Sequence, residues 1–142
     1  MKWESHSVAE TKALGKKWAQ SLKKGDVVSL EGDLGSGKTA FAKGMARGLG
    51  LKNADQIVQS PTFVTAQEYP TRIPLFHLDL YKFDSLSPMD TLMIQEYLER
   101  PGILVVEWGQ KAQHLYPLPY WQVQIESLNE NKRVITVRHH EE

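Results

Sequence analysis

The chain has 142 residues, enough for one compact core and too few for two full-sized ones, so a single domain over 1–142 is expected. Its 17 basic and 17 acidic residues balance, which excludes a broad cationic field that gathers nucleic acid or anionic membrane non-specifically; with no cysteine, disulfides and thiol catalysis are excluded too. Met1 to His6 holds no apolar signal segment and no apolar run nears the roughly 20 residues that span a bilayer, so a cytoplasmic protein with no membrane contact is expected.

Ser7 followed by Glu10 reads as a capping box, and Leu14, Trp18 and Leu22 recur on one face of a helix that ends near Lys23-Lys24-Gly25. Lys12, Lys16, Lys17, Lys23 and Lys24 form a basic stretch read as a solvated face. After a Gly25-Asp26 turn, Val27-Val28-Ser29-Leu30 reads as a short strand, and a second helix carries Phe41, Met45 and Leu49 on one face before Gly48-Leu49-Gly50 ends it.

Between that strand and that helix lies Gly32-Asp33-Leu34-Gly35-Ser36-Gly37-Lys38-Thr39, which satisfies the full phosphate-loop pattern in the strand-to-helix context its mechanism needs. Glycines at Gly32, Gly35 and Gly37 let backbone N–H groups turn inward around phosphate oxygens, with Ser36 in the same loop, and the helix presents its positive end to the same anion. Lys38 is placed to bridge the terminal phosphates and the Thr39 hydroxyl to ligate Mg2+.

Apolar segments then run from Phe63 to Tyr69, Leu75 to Leu80 and Ile103 to Val106, with a helical stretch around Thr91 to Leu98. Trp121, Val123 and Ile125 alternate with polar residues, and after Asn129-Glu130-Asn131 a second run, Arg133 to Arg138, predicts an antiparallel hairpin at the sheet edge. The expected fold is α/β: a three-layer P-loop NTPase with a mixed, centrally parallel sheet and an antiparallel C-terminal hairpin.

Such a site needs a carboxylate at a strand end for the metal and often a second polar group for the attacking water. Asp79 and Glu107 each end a strand, and position leaves their two roles unranked. Ser60-Pro61-Thr62-Phe63 reads either as a Ser-Pro turn or as a switch loop offering the Thr62 hydroxyl to metal or γ-phosphate. His77 reads as a hydrogen-bonded structural histidine, and Trp108 as a residue that stacks near nucleotide or packs. Asn131-Lys132 is followed by Arg133-Val134 rather than the acid of a guanine motif, which favours ATP over GTP.

Taken together, Gly32 to Thr39, Ser60-Pro61-Thr62-Phe63, His77-Leu78-Asp79-Leu80-Tyr81-Lys82 and Val106-Glu107-Trp108 resemble the TsaE (YjeE) family of bacterial ATPases. Lys82 stands where that family commonly has arginine, and Gly109-Gln110 where proline and an acid or amide are common. The resemblance implies an ATPase that acts with the TsaB and TsaD proteins in making threonylcarbamoyladenosine beside the anticodon of tRNA, meeting tRNA only through that complex. It also implies Thr39 and Glu107 as magnesium ligands, Thr62 as a switch residue, Asp79 as a catalytic or water-orienting acid, and a functional Trp108. The rival readings are a small-molecule phosphotransferase and a non-hydrolytic, nucleotide-gated binding module.

Overall fold

The computed structural model describes residues 1–58 and 66–142. Ser7 caps as its spacing predicts: its hydroxyl accepts the Glu10 N–H at 3.0 Å, while the Glu10 carboxylate accepts the His6 N–H at 2.7 Å, opening α1 (Val8–Ala19). The helix ends sooner than the residues 23–25 expected. Ser21 and Leu22 N–H groups turn back onto the carbonyls of Trp18 and Ala19, a tighter exit that still buries Leu22.

β2 (Val27–Glu31) leads through the glycine-rich loop into α2 (Lys38–Gly48), followed by a single turn, α3 (Ala54–Ile57). The strand expected from Phe63 is seen from Ala66, as β3 (Ala66–Tyr69), since 63–65 lie outside the described residues. It pairs antiparallel with β4 (Leu75–Asp79). α4 (Pro88–Glu99) opens with a reciprocal Ser87–Asp90 capping box, and β5 (Ile103–Glu107) gives way to a 3-10 helix, Gly109–Leu115, absent from the sequence reading. The hairpin is β6 (Tyr120–Asn129) and β7 (Lys132–His140).

One further strand, β1 (Lys2–Ser5), carries a single large apolar residue, Trp3, and is held by antiparallel pairing to β7. The sheet order is therefore β1-β7-β6-β2-β5-β4-β3. β6, β2, β5 and β4 run parallel at the centre, with antiparallel strands on both flanks, as expected for the mixed α/β fold. The hairpin extends the sheet, but β1 covers β7 and forms the edge in its place.

Alternation along each strand divides the core into two sides. Val28, Leu30, Ile103, Val105, Val123, Ile125, Ile135 and Val137 meet Trp18, Phe41 and Met45 of α1 and α2. Val27, Leu78, Leu104 and Val106 meet Ile94 of α4 and Ala112 of the 3-10 helix on the other. α1 and α2 approach backbone to backbone: a Cβ on Gly15 would lie 2.5 Å from the Phe41 carbonyl oxygen, and Cβ atoms on Gly44 and Gly48 would collide with the carbonyls of Lys12 and Lys16. No helix among the described residues is long and apolar enough to cross a membrane.

Candidate active site

The parallel strands β2, β5 and β4 end side by side, with Leu30 in register with Glu107, and Glu107 with Asp79. This brings the loop after β2 to the same sheet edge as both acids. Gly32 adopts φ 152° and Gly37 φ 112°, where a side chain is strained; a Cβ on Gly32 would also press on the Ser36 hydroxyl at 2.6 Å. Gly37 caps α2 without a side-chain hydrogen bond, so the first-turn N–H groups of that helix are not taken by a cap.

Lys38 is only 5% exposed and its ammonium donates to the carbonyls of Gly32 and Asp33 at 2.5 and 2.8 Å. Burial pulls its pKa below the ordinary lysine value, opposed by the nearby carboxylates of Glu107, Asp79 and Asp33. The ammonium also stands 4.6 Å from the ring centre of Trp108. Trp108 takes a left-handed backbone, φ 58° and ψ 36°, a conformation that costs a non-glycine residue energy and is found disproportionately at functional sites. Lys111, tied to the carbonyls of Tyr81 and Phe83, places a second ammonium 5.5 Å from the same ring.

Glu107 is 2% exposed and its two oxygens have different tasks. Oε1 accepts from the Thr39 hydroxyl at 3.2 Å; Oε2 lies 2.5 Å from His77 Nε2, and His77 Nδ1 lies 3.0 Å from the Tyr69 hydroxyl. Tyr69 donates to Gln67 Oε1 at 2.6 Å, so the polar chain runs on from Glu107 through His77 and Tyr69 to Gln67 of β3. His77 is thus the hydrogen-bonded histidine the sequence predicts, and its partner is the carboxylate proposed for the metal. Asp79 follows two residues later on the same face and accepts the Tyr81 N–H at 2.9 Å.

These groups open on a cavity of about 490 Å³. Gly35, Gly37, Lys38, Thr39, Asp79, Glu107 and Trp108 line it; Gly32 and Ser36 support the loop without lining it. Tyr81, its ring centre 5.2 Å from that of Trp108, also lines it, as do Lys82, Val8, Leu34 and Arg133. Thr62 lies outside the described residues. The sequence reading gave Arg133 and Tyr69 only as strand ends and assigned no site role to them or to Lys111; the signal for Arg133 was its two-residue spacing from Ile135 on a core-facing strand phase.

The loop and the cavity it borders fit a polyphosphate with a divalent cation. The Ser36 hydroxyl is buried with no hydrogen-bond partner among the described residues, the loop supplies backbone donors, and Lys38 is a desolvated cation. No cluster of three or more His, Cys, Asp or Glu able to hold a metal occurs among the described residues, so a cation here would rest on Thr39, Glu107 and the ligand's own oxygens. Magnesium in nucleotide sites is held in that manner.

The model of the family described as threonylcarbamoyl adenosine biosynthesis protein TsaE matches residues 5–135. The tRNA threonylcarbamoyladenosine biosynthesis protein TsaE of Bacillus subtilis is 40% identical over 137 residues, covering 96% of this chain and 84% of its own. Its namesake in Treponema pallidum is 34% identical, covering 96% and 99%. The crystal structure of Bacillus subtilis YdiB superposes with a TM-score of 0.83 at 36% identity, over 99% of this chain and 85% of that one. With the strand order, the glycine-rich loop and these matches in agreement, the chain belongs to the TsaE family of threonylcarbamoyl adenosine biosynthesis proteins.

Proposed function

We propose that this protein is a cytoplasmic ATPase that binds ATP with magnesium and supports the TsaB and TsaD proteins in threonylcarbamoyladenosine modification of tRNA beside the anticodon. The observation that carries the reading is the convergence of Lys38, Thr39 and Glu107 on one cavity behind a glycine-rich loop. In this reading Gly32, Gly35, Ser36 and Gly37 shape the phosphate cradle. Lys38 exchanges its carbonyl partners for phosphate oxygens, which add negative charge beside a buried ammonium that only the nearby carboxylates otherwise offset.

Thr39 and Glu107 hold the metal, with His77 keeping Glu107 turned toward Thr39. Bound magnesium would neutralise charge on the β- and γ-phosphate oxygens. Asp79 orients the attacking water, Thr62 responds to the γ-phosphate, and Trp108 packs against the phosphate end of the ligand. tRNA is met only through the partner complex, consistent with the balanced charge.

The test is ATP hydrolysis by the purified protein with and without magnesium, alone and with TsaB and TsaD, against Lys38→Ala. Slow turnover, stimulated by the partners and lost in the variant, is expected. Phosphorylated metabolite formed without the partners would point instead to a phosphotransferase. Full support of the partners by a non-hydrolysable ATP analogue would point to a nucleotide-gated binding module.

A further inference from the structure

The C-terminal hairpin reaches the phosphate loop through one side chain. Ile135 and Val137 of β7 point into the core beneath α1 and α2, and the two-residue period puts Arg133 on the same face, at the end nearest the loop. An arginine in that phase is costly unless its donors are met. Its Nε donates to the Ser36 carbonyl at 2.6 Å and its Nη2 to the Gly35 carbonyl at 3.3 Å.

Those two carbonyls belong to consecutive peptide planes. In a trans peptide the C=O and N–H point in opposite directions, so holding the carbonyls fixes where two N–H groups aim. The plane of the Gly35 carbonyl carries the Ser36 N–H, which closes a turn onto the Asp33 carbonyl at 3.1 Å. The plane of the Ser36 carbonyl carries the Gly37 N–H, which is directed away from Arg133. The guanidinium is seated directly on this segment: a Cβ at Gly37 would lie 3.3 Å from Arg133 Nε and 3.4 Å from its Cδ. Register with Ser127 of β6 and Ser5 of β1 fixes the arginine from both sides.

We infer that Arg133 is a positioning residue of the phosphate loop, a latch by which the hairpin holds Gly35, Ser36 and Gly37 in the anion-binding shape before ligand arrives. The inference rests on the proposed nucleotide site for its purpose, but its structural half can be read without nucleotide. Arg133→Ala and Arg133→Lys are compared with the parent chain by amide hydrogen exchange of the ligand-free protein, and by calorimetric titration with ADP. Lysine keeps the charge but offers a point donor where the fork spans two carbonyls.

Faster exchange confined to 33–38 in Arg133→Ala, with β2 and β5 as protected as in the parent, is expected. ADP binding should weaken about tenfold, the size of loss that follows removal of a hydrogen bond from a charged donor. Arg133→Lys should fall between, since a single ammonium offers a point donor where the fork meets two carbonyls. Millimolar guanidinium should restore part of the ADP affinity to Arg133→Ala. Loop exchange and ADP affinity both unchanged would overturn the latch, and so would faster exchange spread through β6 and β7, the mark of a general stabilising role. Faster loop exchange in the variant, with no ADP binding by the parent chain, would sink the proposed nucleotide site and leave the latch standing.

Discussion

Two buried glutamates end neighbouring parallel strands and face opposite sides of the sheet. Glu107, on β5, faces α1 and α2; Glu31, on β2, faces the 3-10 helix. Glu107 meets one hydroxyl, Thr39, and one imidazole, His77, and it lies close enough to Lys38 to raise that lysine's pKa against burial. Glu31 meets neutral donors: the Ser29 hydroxyl at 2.9 Å and the Gln122 amide at 3.0 Å, with Gln124 at 3.5 Å. A carboxylate satisfied by hydroxyl and amides ties strands together. One that shares its oxygens with a metal-capable hydroxyl and a histidine, in front of a cationic loop, is equipped for chemistry.

The largest expected effect breaks the comparison at the level of turnover. Glu107→Gln should lower magnesium-dependent hydrolysis by at least the roughly 100-fold that marks the upper end for losing an outer-sphere partner. Glu31→Gln should keep hydrolysis within about twofold and instead lose about 1–3 kcal/mol of stability from disturbed hydrogen bonds. Comparable losses of turnover in both variants, by steady-state assay, would erase the distinction.

His77→Leu sharpens it. The Glu107 carboxylate would lose the group that orients Oε2, and turnover should fall about 10–100-fold while the magnesium concentration needed for tight ATP binding rises. Unfolding in urea should show a loss of about 3–5 kcal/mol, because a buried carboxylate is left without its partner. A variant as stable as the parent would mean that Glu107 does not depend on the histidine.

The comparison has a packing side as well. On the α1 and α2 face, Gly44→Ala would force a methyl group against the Lys12 carbonyl, and overpacking of this kind costs about 1–3 kcal/mol. Gly50→Ala serves as the control: a Cβ there meets nothing, and only its φ of 103° opposes the change. A Gly44→Ala midpoint no lower than that of Gly50→Ala would argue against direct backbone contact between the helices.

The glycine-rich loop between β2 and α2, the two acids at strand ends and the central strands were legible because each is written locally: glycines at fixed offsets, and a carboxylate directly after an apolar run. β1 was not, since Lys2–Ser5 gains its strand character from pairing with residues 133–136, far away in the chain. The 3-10 helix escaped notice because Gly109–Leu115 has no amphipathic period, and its place is set by Tyr116 and the close approach of Gly109 to Ser29. The Tyr69–His77–Glu107 chain needed the register of two strand pairs, which no spacing in one segment discloses.

The smallest effect concerns the Glu31 side. Tyr116 donates to the Gly109 carbonyl at 2.6 Å, and its pKa is raised, chiefly by burial and further by the charge of Glu31. The folded chain therefore keeps a proton that the unfolded chain releases near pH 10. The contribution is intact below about pH 10 and is lost as pH rises toward the folded value, at about 1.4 kcal/mol per pH unit for one retained proton. Tyr116→Phe should cost about 1 kcal/mol at neutral pH through the lost hydrogen bond. Its stability should then fall less steeply above pH 10 than that of the parent, though not become flat, because Tyr120 is shifted in the same direction for the same reason. Denaturant midpoints at pH 8, 10 and 11 decide the matter: parallel curves for parent and variant would show that Tyr116 ionises with equal ease in both states.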